Sequence, residues 1–173
     1  MAVAIALLLA AGPTACGPTA TSPALHAQQA AIQPPAPTTR LLLRVGERRL
    51  YLIHDDPRTP AESFPIAVGR EGHETPTGSF QVEDMIEHPD FAKIDPNDRA
   101  HVLVRIPPGP TNPLGERWIR FAHGDGWETG IHGTPHPELL GKPVSGGCVR
   151  MRNADVVRVY EHVQLGTPVV IEP

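Results

Sequence analysis

The first 39 residues contain no aspartate, glutamate, lysine or arginine, so all 15 basic and 19 acidic side chains lie at or after Arg40. The formal net charge of −4 therefore belongs to that later segment. Lysine occurs only at Lys93 and Lys142, and no run of basic residues is present. Because nucleic-acid binding depends on clustered lysine and arginine, this charge pattern excludes a nucleic-acid-binding protein.

Long hydrophobic runs are also scarce, and the longest unbroken apolar run covers residues 1–11. It is shorter than the roughly 20 residues that a membrane-spanning helix needs, and it has the length typical of the hydrophobic part of a signal peptide. We predict a signal peptide over residues 1–27, cleaved near Ala24 or Ala27, and an exported protein of the periplasm or cell envelope. Membrane attachment is expected only if Cys16 is lipidated.

The rest of the chain divides into a linker and one domain. Residues 28–39 are rich in proline and poor in large apolar side chains, which predicts a linker that packs into no core. Residues 40–173 have the length of one domain of ordinary size.

Cysteine occurs only twice, at Cys16 and Cys148. If Cys16 is removed with the signal peptide or lipidated, Cys148 has no disulfide partner in an oxidising compartment. Such a cysteine is either a buried, inert thiol or a reactive one, and its neighbours decide between the two.

The domain lacks internal repeats and any nucleotide-binding glycine motif, and one stretch of it has helical periodicity. There, apolar residues recur at helical spacing from Val156 to Val163, after a predicted N-cap at Asn153 and before a stop at Gly166. Short apolar runs separated by turn residues predict strands at 41–45, 49–53, 64–68, 79–82, 101–106, 118–121 and 167–172. The first two runs form a predicted hairpin across 46–48. We therefore predict a mainly β sandwich or barrel of short strands, with one short helix after Cys148.

Cys148 follows two glycines and lies 16 residues after His132. Gly146 and Gly147 allow a sharp turn that leaves backbone amides free to point at one spot, as an oxyanion hole requires. A nearby histidine would raise the thiolate fraction of the cysteine and make it a competent nucleophile. The residues alone leave two interpretations open, a cysteine–histidine acyl-transfer enzyme or a buried thiol beside a core histidine.

Three motifs occur in the chain in a particular order. Val68-Gly69 precedes Thr-Pro-Thr-Gly-Ser-Phe at residues 75–80, and His132-Gly133 precedes Ser-Gly-Gly-Cys-Val-Arg-Met at residues 145–151. Asn-Ala-Asp-Val follows at residues 153–156. In these motifs, which follow one another in the predicted domain between residues 68 and 156, the chain resembles the catalytic domain of the L,D-transpeptidases, the YkuD-type family that remodels bacterial peptidoglycan.

The resemblance implies a YkuD-like β fold and a cysteine-dependent peptidyltransferase that needs no metal or cofactor. Cys148 would attack the carbonyl between residues three and four of a stem peptide, release D-alanine and form a thioester. His132 would take the thiol proton and later return a proton to the leaving amine. An amine from a neighbouring stem peptide would resolve the thioester into a 3→3 cross-link, and carbapenem-type inhibitors would acylate the same cysteine.

Supporting roles around this pair also follow from the resemblance. The backbone carbonyl of Gly133 is the expected partner that orients His132, and the amides of Gly147 and Cys148 are the expected oxyanion hole. The residues expected to support the loop or to bind substrate are Ser145, Gly146 and Arg150. Many family members carry a histidine where this chain has Gly146, so any donor-positioning role of that histidine is missing here.

Several alternatives stay open. An L,D-carboxypeptidase would use water in place of the acceptor amine, and a non-catalytic module on this fold would only bind the cell wall. Sortase-like and papain-like enzymes fit less well, because the sortase Thr-Leu-x-Thr-Cys segment is missing and the papain-like enzymes carry cysteine before histidine. A metal site built from His123, Asp125, His132 and His136 is disfavoured because Pro135 breaks helical ligand spacing.

Overall fold

The computed structural model describes residues 39–95, 97–98, 101–124 and 127–173. The predicted signal peptide and residues 28–38 of the predicted linker lie outside these residues. Thr39, the last residue of the predicted linker, already belongs to the first strand.

The described residues form thirteen short strands and one α-helix, which confirms the mainly β prediction. The strands are β1 Thr39–Arg44, β2 Arg49–His54, β3 Glu62–Pro65, β4 Val68–Gly69, β5 Gly78–Gln81, β6 Asp84–Glu87, β7 Phe91–Ile94, β8 Val102–Ile106, β9 Arg117–Gly124, β10 Trp127–His132, β11 Pro143–Ser145, β12 Val149–Arg150 and β13 Pro168–Glu172. The helix α1 spans Asn153–Tyr160, and a 3-10 turn covers Pro137–Leu139.

Two sheets carry the fold. The larger has the strand order β3-β2-β1-β13-β5, and the smaller has the order β12-β10-β9-β6. The predicted hairpin is confirmed, because β1 and β2 pair antiparallel with Arg44 opposite Arg49. Two further pairs, β4 with β11 and β7 with β8, form small two-stranded sheets.

One hydrophobic core joins the two sheets and the helix. The larger sheet contributes alternate residues such as Leu41 and Leu43, since successive side chains of a strand point to opposite faces. The smaller sheet contributes Ile119 and Ile131, and the helix contributes Val156, all fully buried. The core thereby fixes the position of β9, β10 and β12, on which the candidate site is built.

The helix is confirmed, but two predicted details of it are wrong. Its N-cap is Arg152 without a side-chain cap, because the Asn153 side chain instead accepts a hydrogen bond from the Glu116 amide at 3.3 Å. It ends at Tyr160, well before Gly166, which has a φ of +84° in a turn that leads into β13. No helix among the described residues is long and apolar enough to cross a membrane.

Strand pairing in the smaller sheet fixes the relative positions of the candidate site residues. β12 lies parallel to β10, with Val149 opposite Ile131 and Arg150 opposite His132. On its other side, β10 pairs antiparallel with β9, and a bulge interrupts this pairing between Thr129 and Gly130. The segment before β12, which contains Cys148, therefore lies beside the middle of β10.

Candidate active site

Cys148 lies at a surface groove with a volume of about 670 Å³. It is a half-buried free thiol, and its Sγ donates a hydrogen bond to the carbonyl oxygen of Glu128 at 3.8 Å. Burial raises the pKa of this thiol above its usual value, while a hydrogen bond from the Gly130 backbone and the charge of Arg150 act in the opposite direction. The resting cysteine is therefore a protonated thiol at neutral pH.

His132 ends β10 and is only 5% exposed. Its Nδ1 donates a hydrogen bond to the carbonyl oxygen of Gly133 at 2.6 Å, because a carbonyl can only accept. In the neutral ring this bond leaves Nε2 as the unprotonated acceptor. Burial lowers the pKa of His132 to about 4, partly offset by the Gly133 carbonyl, so the imidazole is neutral at pH 7.

Two neighbours hold the histidine and its partner in place. The Trp118 ring lies over His132 with 5.9 Å between ring centroids and an interplanar angle of 32°. Gly133 has no room for a side chain, since a Cβ there would lie 2.0 Å from Asn153 Oδ1. The close packing thus restricts both the ring and the carbonyl that orients it.

Cys148 directly precedes β12, the strand that pairs with β10, and His132 is the last residue of β10. The Gly130 backbone reaches the Cys148 sulfur, and Gly130 lies two residues before His132 on β10. The arrangement is that of a neutral thiol beside the strand that ends in a neutral imidazole.

The segment 145–148 forms a tight loop closed by Ser145. Its buried Oγ donates to the carbonyl oxygen of Cys148 and accepts from the amide of Gly147 at 3.1 Å. Gly147 has a φ of +118°, a conformation that favours glycine. The Gly147 amide, expected to be free for an oxyanion, is thus already engaged with Ser145 in this structure.

Thr75 holds the same loop from the other side, a role that sequence reasoning missed. Its buried Oγ1 donates to the carbonyl oxygen of Gly147 at 2.9 Å and accepts from the amide of Gly69 at 2.9 Å. The only signal in the sequence was the motif at residues 75–80 in which Thr75 stands. Thr75 and Gly147 are 72 positions apart, so spacing could not reveal their contact.

Arg150 and Arg70 flank the loop as well. Arg150 is half-buried, and its Nε is buried without a hydrogen-bond partner among the described residues. Arg70 is exposed and donates twice to the carbonyl oxygen of Ser145, from its backbone N at 3.1 Å and from Nη1 at 3.2 Å. Neither guanidinium pairs with a carboxylate in the described part of the chain.

Arg120, His123 and Glu128, which also line the groove, belong to a network of charges. Arg120 Nη1 contacts Glu128 Oε1 at 2.8 Å and Arg120 Nε contacts Glu83 Oε2 at 3.6 Å, while His123 Nδ1 lies 2.7 Å from Glu83 Oε2. Trp127, 51% exposed, and the buried Trp118 line the same groove.

The described residues give no support to a metal site built from His123, Asp125, His132 and His136. Within the described ranges, no three histidine, cysteine, aspartate or glutamate side chains are placed to hold a metal ion. His123 pairs with Glu83 and His136 with Glu138, and Asp125 lies outside the described residues.

Comparison with known proteins identifies a family. Residues 38–171 match the family model of YkuD, the L,D-transpeptidase catalytic domain. Two relatives named as L,D-transpeptidases are YqjB of Bacillus subtilis (strain 168), 40% identical over 62% of this chain and 57% of its own length, and ErfK/SrfK of Escherichia coli (strain K12), 36% identical over 76% of this chain and 43% of its own length. The chain thus spans about half the length of these relatives.

Solved structures of L,D-transpeptidases have a similar fold. L,D-transpeptidase 3 from Mycobacterium tuberculosis, solved in complex with a faropenem-derived adduct, is similar with a TM-score of 0.60. The match covers 79% of this chain and 61% of that one at 20% sequence identity, which shows a shared fold.

Proposed function

Because the chain belongs to the YkuD family of L,D-transpeptidase catalytic domains, a family of acyltransferases, we propose that it transfers peptidoglycan stem peptides through a thioester on Cys148. The donor is a tetrapeptide stem, the leaving group is D-alanine, and the acceptor is an amine. With the amine of a neighbouring stem peptide as acceptor, the product is a 3→3 cross-link.

In the first half-reaction, the Cys148 thiol attacks the carbonyl between residues three and four of the donor. The thiol proton passes to Nε2 of His132, and the carbonyl becomes a tetrahedral oxyanion. The Cys148 amide is the first donor to that oxyanion, and the Gly147 amide can join it only by releasing Ser145 Oγ. The imidazolium then protonates the leaving nitrogen, the C–N bond breaks, and D-alanine departs.

In the second half-reaction, an acceptor amine attacks the thioester. His132, neutral again, accepts a proton from the attacking nitrogen, and the second tetrahedral intermediate collapses. The C–S bond breaks and the sulfur regains its proton. Gly133 supports both halves, because its carbonyl stabilises the transient charge on the ring through the Nδ1 hydrogen bond.

One observation carries this proposal. A free thiol lies at the groove beside the strand that ends in a buried histidine, and the Nδ1–Gly133 bond leaves the opposite nitrogen of that histidine available as a base. A backbone carbonyl thus fills the orienting role for which other enzymes use a carboxylate. The adduct in the M. tuberculosis neighbour supports trying β-lactams of the penem and carbapenem classes as inhibitors.

The proposal is tested by incubating the full chain with muropeptides rich in tetrapeptide stems. The products are then identified by mass spectrometry. Cross-linked dimers with loss of D-alanine are expected from the wild type and not from Cys148→Ala. Tripeptides without dimers would make the protein an L,D-carboxypeptidase, since water then resolves the thioester. Identical cell-wall binding by both proteins with no product from either would favour the wall-binding alternative.

The proposal also requires export, because the substrate lies outside the cytoplasmic membrane. Residues 1–27 are the candidate signal peptide, and Cys16 is the candidate lipidation site within it. The mass of the mature N-terminus in the producing cell distinguishes cleavage near Ala24 or Ala27 from lipidation at Cys16.

A further inference from the structure

The carbonyl that orients His132 belongs to a glycine whose backbone the strand pairing holds only in part. The peptide before Gly133 is fixed, because the amide of Met151 donates to the carbonyl oxygen of His132 at 2.8 Å. The Gly133 amide donates to the carbonyl oxygen of Arg117 at 3.4 Å, which is longer than the usual range of about 2.7–3.2 Å. Because glycine has more backbone freedom than any other residue, a further contact is needed to fix the direction of its carbonyl.

The side chain of Asn153 packs against this glycine. Asn153 is the first residue of α1, and its Oδ1 accepts a hydrogen bond from the amide of Glu116 at 3.3 Å. A Cβ built at Gly133 would lie 2.0 Å from this Oδ1, and a Cβ built at Gly115 would lie 2.1 Å from it. The oxygen therefore lies against two stretches of backbone that have no side chain to keep it away.

Three segments that are distant in the chain meet at this oxygen, namely the turn before β9, the end of β10 and the start of α1. A Cβ at Gly115 would also lie 2.7 Å from both Cα and the carbonyl carbon of Gly133. The turn is itself held, because the amide of Gly115 donates to the carbonyl oxygen of the fully buried Asn112 at 3.0 Å. The Gly133 backbone thus touches both the turn and the Asn153 side chain, so packing limits the rotation of its carbonyl.

The other contacts of His132 do not select between its two neutral tautomers. Trp118 packs on the face of the ring, and a contact with the face does not decide which nitrogen carries the proton. The charge of Arg150 disfavours the imidazolium, which is a choice between charged and neutral forms. Among the described residues, the only hydrogen bond of the ring is the one to the Gly133 carbonyl, so this carbonyl alone selects the tautomer.

We propose that Asn153 is a positioning residue for the base: by packing on Gly133 it holds the carbonyl against Nδ1 of His132 and keeps Nε2 free to accept a proton. This inference rests on the proposed function, which makes His132 the base. Free neutral histidine in water favours the opposite tautomer, with the proton on Nε2. In that form Nε2 cannot take the proton of the Cys148 thiol. A carbonyl that turned away would therefore cost the enzyme its base while the histidine stayed in place.

The test reads the tautomer directly. ¹⁵N NMR of the full chain with labelled histidine shows at neutral pH which ring nitrogen carries the proton, and the signals of His132 are those that disappear in His132→Gln. The wild type should show the Nδ1–H tautomer alone, and Asn153→Ala should show a mixture of both. Acylation of Asn153→Ala by a disaccharide-tetrapeptide, followed by intact mass, should be about three- to tenfold slower, since the base is lost in the fraction of molecules with the wrong tautomer. Asn153→Asp keeps an oxygen at the position of Oδ1 and should keep the wild-type tautomer.

Val159→Ala is the matched control, because Val159 is a fully buried core residue of the same helix. Its truncation should lower the melting temperature and leave the tautomer of His132 unchanged. The inference is overturned if Asn153→Ala keeps the Nδ1–H tautomer alone, if Asn153→Asp changes it as much as the alanine variant does, or if Val159→Ala changes it equally, which would make Asn153 only a support of the helix. Absence of acylation in the wild type would instead overturn the proposed function, and the NMR comparison would still decide whether Asn153 sets the tautomer.

Discussion

His132 is held in its neutral form by the protein around it. Burial lowers the pKa of this imidazole to about 4, and burial also raises the pKa of the Cys148 thiol. The resting pair is therefore a thiol and an imidazole, without a preformed ion pair. A neutral imidazole is the form that accepts a proton, so the base is ready at neutral pH, and the thiol loses its proton as it attacks.

The same burial makes the stability of the protein depend on pH. Between pH 6.5 and about 4, the unfolded chain protonates this histidine and the folded chain does not, so the free energy of unfolding falls as pH falls through that window. The contribution of His132 amounts to roughly 3 kcal/mol. His132→Gln should remove this part of the pH dependence and lower acylation by about 10²- to 10⁴-fold.

Thermal unfolding of both proteins at a series of pH values measures the effect. Carboxylates such as Glu62 and Asp56, whose pKa values are lowered by arginine partners, are present in both proteins, so the difference between the two curves isolates the histidine. Parallel curves for wild type and His132→Gln between pH 6.5 and 4 would show that the imidazole is not held neutral by the fold.

The loop that presents the nucleophile depends on elements distant in the chain. Ser145 closes it from within, and Thr75 ties Gly147 to the amide of Gly69 at the end of β4. Gly69 itself has no room for a side chain, since a Cβ there would lie 2.1 Å from the carbonyl oxygen of His73. The threonine motif near β5 and the cysteine motif near β12 are thus two parts of one structure.

Thr75→Val should break this connection while keeping the shape of the side chain. A buried amide and a buried carbonyl lose their partner, which costs about 1–3 kcal/mol of stability and loosens the loop. Thr75→Ser keeps the hydroxyl and is the matched control. The two variants are compared by melting temperature and by the rate of acylation with tetrapeptide; equal behaviour of Val and Ser would show that the hydroxyl does not hold the loop.

The strands and the helix were predictable to different degrees. Two short apolar runs separated by turn residues were enough to predict the β1–β2 hairpin, and the structure buries alternate residues of each run in the core. Strand β10 begins with the exposed residues Trp127 and Glu128 and has no such apolar run at its start. The helix was expected to run to Gly166, since Val163 keeps the helical spacing, yet Val163 is buried from a turn beyond the helix end.

The candidate site was predictable wherever a motif kept its residues together in sequence. Cys148, His132 and Gly133 stand in short motifs with recognisable chemistry. Arg70 and Thr75 act through contacts between segments about 70 positions apart, which only the folded chain brings together. The neutral state of His132 could likewise not be predicted from the sequence, because it depends on how deeply the folded protein buries the ring.

At the scale of the whole molecule, the nucleophile lies among charges of both signs, since Arg150 and Glu128 both act on Cys148. Arg70 and Arg150, which have no carboxylate partner in the described chain, flank the loop 145–148, and the ion pair of Arg120 with Glu128 lines the groove. The fold contributes by bringing β4, β10 and β12 together at one edge of the core.

The thioester on Cys148 is the central claim, and intact-mass spectrometry tests it most directly. The full chain and Cys148→Ala are each incubated with a disaccharide-tetrapeptide and quenched in acid, which preserves a thioester. The wild type should gain the mass of the donor minus D-alanine, with the modified peptide containing Cys148, and the variant should gain nothing. An equal adduct on the variant, an adduct elsewhere in the wild type, or turnover without any adduct at Cys148 would contradict the account.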